Sequence, residues 1–190
     1  MPMEIRFEQV EKRFGRKCVL HDLNWTLRQG ETWRIEGPSG VGKTTLMRLM
    51  MGLEHPTRGT IRDTETLRFA PVFQENRLVP RLNAVQNLRL TCGLPAEEIE
   101  AALCEVLDEA DLRQPVETLS GGMQRRVSIV RALLSPSDVL VLDEPFSGLD
   151  AENRVRSIRC IDRRRNGRTL VFVSHEPIDS FSAANCLHLG

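Results

Sequence analysis

The residues with the clearest chemical signature are 37–44, which read Gly-Pro-Ser-Gly-Val-Gly-Lys-Thr. Glycines in this pattern allow positive φ and leave no Cβ in the way, so several backbone N–H groups can converge on one anion. Lys43 can reach the outer phosphates of a nucleotide, and the Thr44 hydroxyl can be a ligand of Mg²⁺. A strand pattern precedes the segment and an apolar helix pattern follows it. This context favours a phosphate-binding loop over a chance glycine-rich turn.

Two acids, Asp143 and Glu144, follow the fully apolar run 139–142. Such a run is typical of a central parallel strand, and α/β sheets bind ligands at the carboxyl ends of their strands. Asp143 is then placed to hold Mg²⁺, directly or through water, and Glu144 to take a proton from, or orient, an attacking water. Solvated acids commonly end strands, so this interpretation depends on the phosphate-binding loop predicted on the same sheet.

A serine and two glycines at 120–122 precede a helical pattern and predict a second anion site. A chain with one nucleotide has no obvious use for two such sites. A head-to-tail pair of chains does, because each chain offers Ser120 to the nucleotide of the other. A simple capped helix is the plainer interpretation of these residues taken alone.

His175 follows the apolar run 170–173, a predicted strand that we expect to neighbour 139–142. Its imidazole could then reach a terminal phosphate or polarise the water network. A structural histidine is the usual alternative at such a position.

Strand patterns lie at both ends of the chain. Two or three antiparallel strands are expected before residue 30, and the remaining predicted strands are 32–36, 60–61, 67–72, 139–142, 170–173 and 186–189. Pro71 argues for a sheet edge or a strand end. Within 32–36, Arg34 and Glu36 share one face, where they either pair with each other or face a lobe interface.

Helical patterns fill the middle of the chain. Helices are predicted at 83–90, 95–109 and 122–134, the second with Ile99, Leu103, Val106 and Leu107 on one apolar face. A further helix is expected from Asp150 to about Arg165. We therefore expect one domain, 1–190, with an α/β core (1–73 and 136–190) and a helical subdomain (74–135).

Composition excludes several classes of function. The chain has 26 basic and 26 acidic residues, so nothing indicates a nucleic acid partner. The basic runs Arg125-Arg126 and 163–165 are interpreted as solvated helix faces or helix C-termini. The five cysteines lack metal-binding spacing and suit a reducing cytosol. Because no signal-peptide pattern and no apolar run of about 20 residues is present, any membrane role is expected to go through a partner.

Together these motifs resemble the nucleotide-binding subunit of an ABC (ATP-binding cassette) transporter, over nearly the whole chain. The resemblance implies an α/β P-loop NTPase (RecA-like) core with N-terminal antiparallel β strands and an inserted helical subdomain. The motifs occur in the order of the family: Walker A at 37–44, the Q-loop at Gln74, the signature at 119–123, Walker B at 139–144, the D-loop at 147–150 and the switch histidine His175.

The resemblance also assigns residues. The ATP-binding residues would be Phe14, Val19, Gly37, Pro38, Ser39, Gly40, Val41, Gly42, Lys43, Thr44, Thr45 and Gln74, with Phe14 stacking on adenine. Those that act in trans would be Ser120, Gly121, Gly122 and Met123. Mg²⁺ would be held by Thr44, Gln74 and Asp143, with the attacking water as the alternative ligand of Gln74, and the catalytic residues would be Glu144, His175 and Lys43.

The function implied is Mg²⁺-dependent ATP hydrolysis that powers membrane transport. Two subunits, identical or different, would sandwich two ATP, and their closure would drive permease subunits docked in a groove near Gln74 and the helical subdomain. A solute-binding protein would take part indirectly. The expected location is the cytoplasmic face of the cell membrane, as a peripheral protein. Residues 72–83 are similar to importers of the nitrate, sulfonate and taurine type, which favours import.

The chain departs from the family pattern at three places. Met123 stands where glutamine is usual, but the backbone and Ser120 should still bind phosphate, so activity is expected to survive. Phe14 replaces tyrosine and keeps the π-face, which is worth ~1–3 kcal/mol for a stacked base. The sequence ends at Gly190, earlier than is usual in the family, so we expect no accessory domain and a poorly supported last strand.

Two alternatives stay open, and the transported substrate is not indicated. A soluble non-transport ABC ATPase of repair or translation is disfavoured because one modest lobe joins Lys43 to Ser120 and because only one cassette is present. A binding-only cassette that senses ATP without turnover is disfavoured by the intact Glu144 and His175.

Overall fold

The computed structural model of the chain describes residues 3–174, 181 and 185–190. The strands are β1 (Glu4–Phe14), β2 (Lys17–Arg28), β3 (Thr32–Glu36), β4 (Arg58–Arg62), β5 (Phe69–Val72), β6 (Val139–Asp143), β7 (Thr169–Val173) and β8 (Asn185–His188). The α-helices are α1 (Lys43–Met50), α2 (Ala84–Cys92), α3 (Ala96–Leu103), α4 (Gly121–Leu134) and α5 (Ala151–Arg164). Short 3₁₀ helices lie at Glu109–Leu112 and Val116–Thr118.

The central sheet is parallel, with the strand order β5-β6-β7-β3-β8. Strands β6 and β7 lie inside it and are buried along their whole length. Successive side chains point to opposite faces, so Leu140 and Phe172 enter one hydrophobic core while Val141 and Val171 enter the other. Burial on both faces is the reason that these two runs carry no polar residue until their ends. Strand β5 is an edge, as Pro71 predicted.

A second, antiparallel sheet has the order β2-β1-β4 and contains the early strands that the sequence predicted. It packs with α1 against one face of the central sheet. Its aromatic side chains meet those of β3, with the Trp25 ring centroid 5.2 Å from that of Phe7 and 5.4 Å from that of Trp33. This packing holds β2 close to the loop between β3 and α1.

Helices α2, α3 and α4 lie between β5 and β6, where the sequence predicted helices. Helix α3 begins after Pro95 as predicted but ends at Leu103 rather than near 109. The amides of Val106 and Leu107 both donate to the carbonyl of Leu103, at 3.0 and 2.9 Å. This turn keeps the predicted apolar face buried without continuing the helix. Among the described residues, no helix combines the length and the apolar character that crossing a membrane requires.

The prediction that Arg125 and Arg126 are solvated is wrong, because the two residues are only 7% and 8% exposed. Each guanidinium is buried against carbonyl oxygens, and Arg126 donates to the carbonyl of Val106 and to Asn153 Oδ1. The other basic run does lie at a helix C-terminus, with Arg163 and Arg164 in the last turn of α5.

Arg34 and Glu36 on β3 pair with each other, with 3.1 Å between Arg34 Nη1 and Glu36 Oε1. This is the first of the two arrangements that the sequence left open. Both side chains lie on the face of β3 opposite Ile35, which is fully buried in the core shared with α1. The polar face of β3 is therefore compatible with an interior, partly buried strand because its charges are paired.

Candidate functional site

The loop between β3 and α1 has no room for side chains at two of its glycines. A Cβ at Gly37 (φ +144) would lie 2.4 Å from the carbonyl oxygen of Leu189, and one at Gly42 (φ +119) would lie 2.7 Å from Val19 Cγ1. Gly42 is the N-cap of α1 and has no side chain with which to cap it. The first N–H groups of α1 are therefore left for another acceptor, and an anion is the ligand that a helix N-terminus favours.

Lys43 folds back over this loop. Its side chain is largely buried, and its ammonium group donates to the carbonyls of Gly37, at 2.7 Å, and Pro38, at 3.0 Å. These contacts with uncharged oxygens hold the cation beside the same N–H groups. The loop thus combines a fixed positive charge with a helix N-terminus, which is the chemistry of a polyphosphate site.

Asp143 ends β6 and meets the start of α1. Its carboxylate is 4% exposed, and Oδ2 accepts a 2.8 Å hydrogen bond from Thr44 Oγ1. Burial raises the pKa of Asp143, the charge of Glu144 adds to this effect, and the hydrogen bond from Thr44 opposes it. A hydroxyl and a carboxylate oxygen side by side are ligands that Mg²⁺ accepts, so Thr44 and Asp143 fit this ion.

Glu144 adopts a left-handed backbone conformation, with φ +50. For a residue other than glycine this conformation costs on the order of 1–3 kcal/mol, and such strain clusters at active sites. The amide of Glu144 donates to the carbonyl of Val173 on β7, at 3.1 Å, which holds the turn in place. The turn carries the carboxylate out of the buried strand and to the wall of a cleft.

This cleft, of about 290 Å³, gathers most of the predicted site. It is lined by the predicted residues Phe14, Val19, Ser39, Gly40, Gly42, Lys43, Thr44, Thr45, Gln74, Asp143 and Glu144. Gly37, Pro38 and Val41 belong to the same loop but do not line the cleft. Lys17 also lines the cleft, although no sequence motif pointed to it. It is the last residue of the basic stretch 12–17, which contains Phe14. The Phe14 ring, 47% exposed, offers a face for stacking.

The residues predicted to act in trans lie elsewhere. Ser120, Gly121 and Gly122 line a separate cleft of about 530 Å³, together with Asp150. Ser120 caps α4, since its Oγ accepts the amide of Met123 at 3.2 Å. Met123 is half-buried against the core. Within one chain, the structure therefore does not bring the serine-led helix start to the phosphate-binding loop.

His175, the remaining predicted site residue, lies outside the described residues. The strand that precedes it, β7, is adjacent to β6, as the sequence predicted. The carboxyl end of β7 therefore lies beside Asp143 and Glu144.

The backbone around Gln74 is fixed to α4 by an arrangement that we call the carbonyl clamp, formed by Arg125, Ser128 and Arg131. The bonds run from Arg125 to the carbonyls of Phe73 and Gln74, from Ser128 to Asn76 (2.9 Å), and from Arg131 to Asn76 (3.0 Å) and Arg77 (2.6 Å). The three donors are spaced three residues apart and share one face of the helix. Gln74 is thereby tied to the helix whose N-terminus is capped by Ser120.

Replacing Arg125 by methionine should loosen this clamp. The substitution removes the donors to two carbonyls in a buried setting, so we expect the free energy of unfolding to fall by about 1–3 kcal/mol. Chemical denaturation would measure the change. Arg113→Met is the matched control, because Arg113 is exposed and forms a solvated ion pair with Glu100, with 3.7 Å between Nη1 and Oε1. This substitution should change the free energy of unfolding by less than about 0.5 kcal/mol. Equal effects of the two substitutions would contradict the clamp.

Asp143→Asn should stabilise the protein at neutral pH when Mg²⁺ is absent. The raised pKa of Asp143 means that folding disfavours its charged form, so stability falls as the pH rises through that pKa. Asparagine keeps an acceptor for Thr44 without the charge. The expected gain is about 1.4 kcal/mol for every pH unit by which the pKa is raised.

The stability difference between Asp143→Asn and the wild type should depend on pH. The gain of Asp143→Asn should shrink as the pH falls through the raised pKa and vanish below the ordinary aspartate value of about 3.9. Denaturation curves of both proteins across this range would measure it, with the exposed Asp108→Asn as the control. A loss of stability at every pH would show that the buried charge is not disfavoured.

Comparison with known proteins gives consistent matches. The family profile described as ABC transporter matches residues 20–147. The sulfate/thiosulfate import ATP-binding protein CysA of Mesorhizobium japonicum is 38% identical over 207 residues, covering 96% of this chain and 59% of that protein. The aliphatic sulfonates import ATP-binding protein SsuB 1 of Rhodococcus jostii is 40% identical over 174 residues, covering 88% and 71%. The chain thus spans about three fifths of the first relative.

A solved structure matches over almost its whole length. It is the ATP-binding cassette MJ0796, solved as a dimer in a post-hydrolysis state with ADP and Pi, and it has a TM-score of 0.83, 26% sequence identity, and coverage of 97% of this chain and 94% of that chain. The predicted P-loop NTPase fold is confirmed by this likeness. Since the family profile also matches most of the sequence, this chain belongs to the ABC transporter family.

Proposed function

We propose that the chain is the ATP-hydrolysing subunit of an ABC membrane transporter. The observation that carries the proposal is the cleft in which Lys43, Thr44, Asp143 and Glu144 meet. The cleft contains a loop that can bind phosphates, oxygen ligands that suit Mg²⁺, and a carboxylate that can orient a water. Phosphoryl transfer to water requires these three features together. Membership of the family and the likeness to a cassette in a post-hydrolysis state support the same activity.

Each wall of the cleft has a part in binding the nucleotide. The N–H groups of the loop and the ammonium of Lys43 bind the phosphates, while Phe14 stacks on the base beside Val19. Lys17 also lines this cleft and adds a positive charge to it. Thr44, Asp143 and Gln74 are the residues that would hold Mg²⁺, which neutralises charge on the outer phosphates when bound.

Hydrolysis follows from the positions of the charged groups. A water attacks the γ-phosphate in line, and Glu144 orients this water and accepts its proton. Lys43 stabilises the negative charge that spreads over the phosphate oxygens. His175, which follows β7 by two residues in the sequence, is proposed to support the same oxygens.

Two chains act together in this proposal. Ser120 and its two glycines line a separate cleft, so they would serve a nucleotide bound by a second chain. Met123 lacks the amide side chain of the glutamine that is usual at this position, but it keeps its backbone N–H, which donates to Ser120 Oγ. The carbonyl clamp then links Gln74, beside the metal site, to the helix that reaches the partner's nucleotide.

We propose that permease subunits dock on residues 74–135 near Gln74, on the cytoplasmic face of the membrane, with 1–73 and 136–190 as the core. Import is supported by residues 72–83 and by the two relatives, both named import proteins. The relatives support the transporter over the soluble non-transport alternative.

Glu144→Gln should bind ATP but hydrolyse it ~10²–10⁴-fold more slowly, because the amide keeps the shape of the side chain and loses its basicity. A phosphate-release assay would measure turnover, and light scattering with Mg²⁺–ATP should detect an accumulated dimer. Glu65→Gln, an exposed change in a turn, should leave both unchanged. Near-normal turnover of Glu144→Gln would remove Glu144 from its role, and a persistent monomer would contradict the action of Ser120 in trans.

Co-expression with membrane proteins from neighbouring genes should bring the chain to the membrane fraction and raise its ATP hydrolysis. Glu144→Gln should dock equally well without the added hydrolysis, which separates docking from turnover. Solute uptake by reconstituted vesicles would support import, and efflux would contradict it. Co-purification with ribosomes in place of membrane proteins would favour the soluble alternative.

A further inference from the structure

We propose that Glu36, Cys186 and His188 form a zinc-binding site at the edge of the central sheet. One donor atom of each side chain lies within 4.8 Å of the donor atoms of the other two. None of the three residues lines the cleft that contains Lys43 and Asp143. The site is therefore separate from the proposed nucleotide and Mg²⁺ sites.

Strand pairing brings the three donors together. In the parallel pair β3–β8, Glu36 lies opposite His188 and Arg34 lies opposite Cys186. Residues two apart on a strand point to the same face, so Cys186 and His188 share a face with Glu36. The amide of Leu189 donates to the carbonyl of Glu36 at 2.9 Å, which fixes the register at this end. The donors thus stand on two hydrogen-bonded strands.

The donor types select zinc over the hard cations. A thiolate sulfur, an imidazole nitrogen and a carboxylate oxygen are the ligands that Zn²⁺ takes in proteins, whereas Mg²⁺ and Ca²⁺ take oxygen. Three protein ligands would leave a fourth position for water. Cys186 and His188 are exposed, so a metal ion can enter without any opening of the fold.

The charges around the site fit a cation. Glu36 Oε1 is 3.1 Å from Arg34 Nη1, while Oε2 is 3.2 Å from His188 Nδ1. Arg34 also donates to the carbonyl of Ser174 at 3.3 Å, so it orients the carboxylate from outside the donor set. Zinc would lie between the Glu36 carboxylate and the His188 imidazole, and it requires the deprotonated form of each ligand. With the Cys186 thiolate, two negative ligands outweigh the single positive charge of Arg34.

Zinc at this position would act next to the phosphate-binding loop. Glu36 is followed directly by Gly37, whose packing against the carbonyl of Leu189 already joins β8 to the loop. A metal shared by both strands would fasten this junction. Because the three donors converge only in the folded chain, zinc should raise the melting temperature.

The test is a titration of the reduced 190-residue chain with zinc chloride, without nucleotide or Mg²⁺. We expect one equivalent to bind and the melting temperature to rise. Changes to groups that only orient ligands cost 10–100-fold in metal affinity, so Cys186→Ser and His188→Gln should each cost at least as much. Cys104→Ser is the matched control, because Cys104 is also an exposed free cysteine but lies far along the chain, after α3, and it should bind zinc as well as the wild type.

Two further readouts identify the sulfur ligand. Cobalt(II) should give a thiolate-to-metal absorption band in the wild type and in Cys104→Ser, and none in Cys186→Ser. Thiol reagents should modify Cys18, Cys104 and Cys186 in the free protein, while Cys92 and Cys160 stay protected; burial raises the pKa of Cys160 to about 12. Zinc should protect one thiol, Cys186. Absence of binding at micromolar zinc, or binding unchanged in both ligand variants, would overturn the proposal.

Discussion

The hydrogen bond from Thr44 to Asp143 joins two segments that are 99 residues apart, and the candidate site depends on it. It forms because β6 lies inside the sheet, between β5 and β7, and α1 packs on one face of that sheet. The apolar runs of β6 and β7 make this placement favourable, since each supplies side chains to both cores. The carboxylate at the end of β6 then emerges beside the first turn of α1. The position of Asp143 beside α1 therefore follows from the burial of the valine and leucine side chains of these strands.

Buried and half-buried arginines connect the helices to the segments between them. Arg125 and Arg131 serve the backbone around Gln74, Arg126 joins α4 to Val106 and Asn153, and Arg168 donates to the carbonyls of Leu133 and Ser135. Burial lowers the pKa of all four guanidinium groups. An arginine presents five N–H donors in a fixed plane. One side chain can therefore donate to several backbone carbonyls that have no hydrogen-bond partner within a helix or sheet. The irregular segments are ordered by these contacts.

Features that depend on neighbouring residues were predictable from the sequence, and those that depend on distant residues were not. The phosphate-binding loop, the caps at Ser120 and Asp150 and the acids after β6 each follow from a local pattern. The burial of Arg125 does not, because its carbonyl partners lie some fifty residues earlier in the chain. The cluster of Glu36, Cys186 and His188 escapes any spacing rule, since only the pairing of β3 with β8 creates it. The proposed roles of Ser120 and His175 need a second chain or residues outside those described.

The turn at Glu144 explains how two adjacent acids can take different tasks. If β6 continued for one more residue, Glu144 would lie within the sheet on the face opposite to that of Asp143, and the buried strand would carry a second carboxylate whose ionisation burial disfavours. The left-handed conformation at Glu144 ends the strand and leaves that carboxylate half-buried, between the phosphate-side cleft and a smaller one of about 210 Å³ that contains Ser174. Asp143 alone bears the cost of burial, which a metal ion can offset. Environments that differ at neighbouring carboxylates can separate their roles, and the difference that the turn at Glu144 creates is the one that the roles proposed for the two acids require.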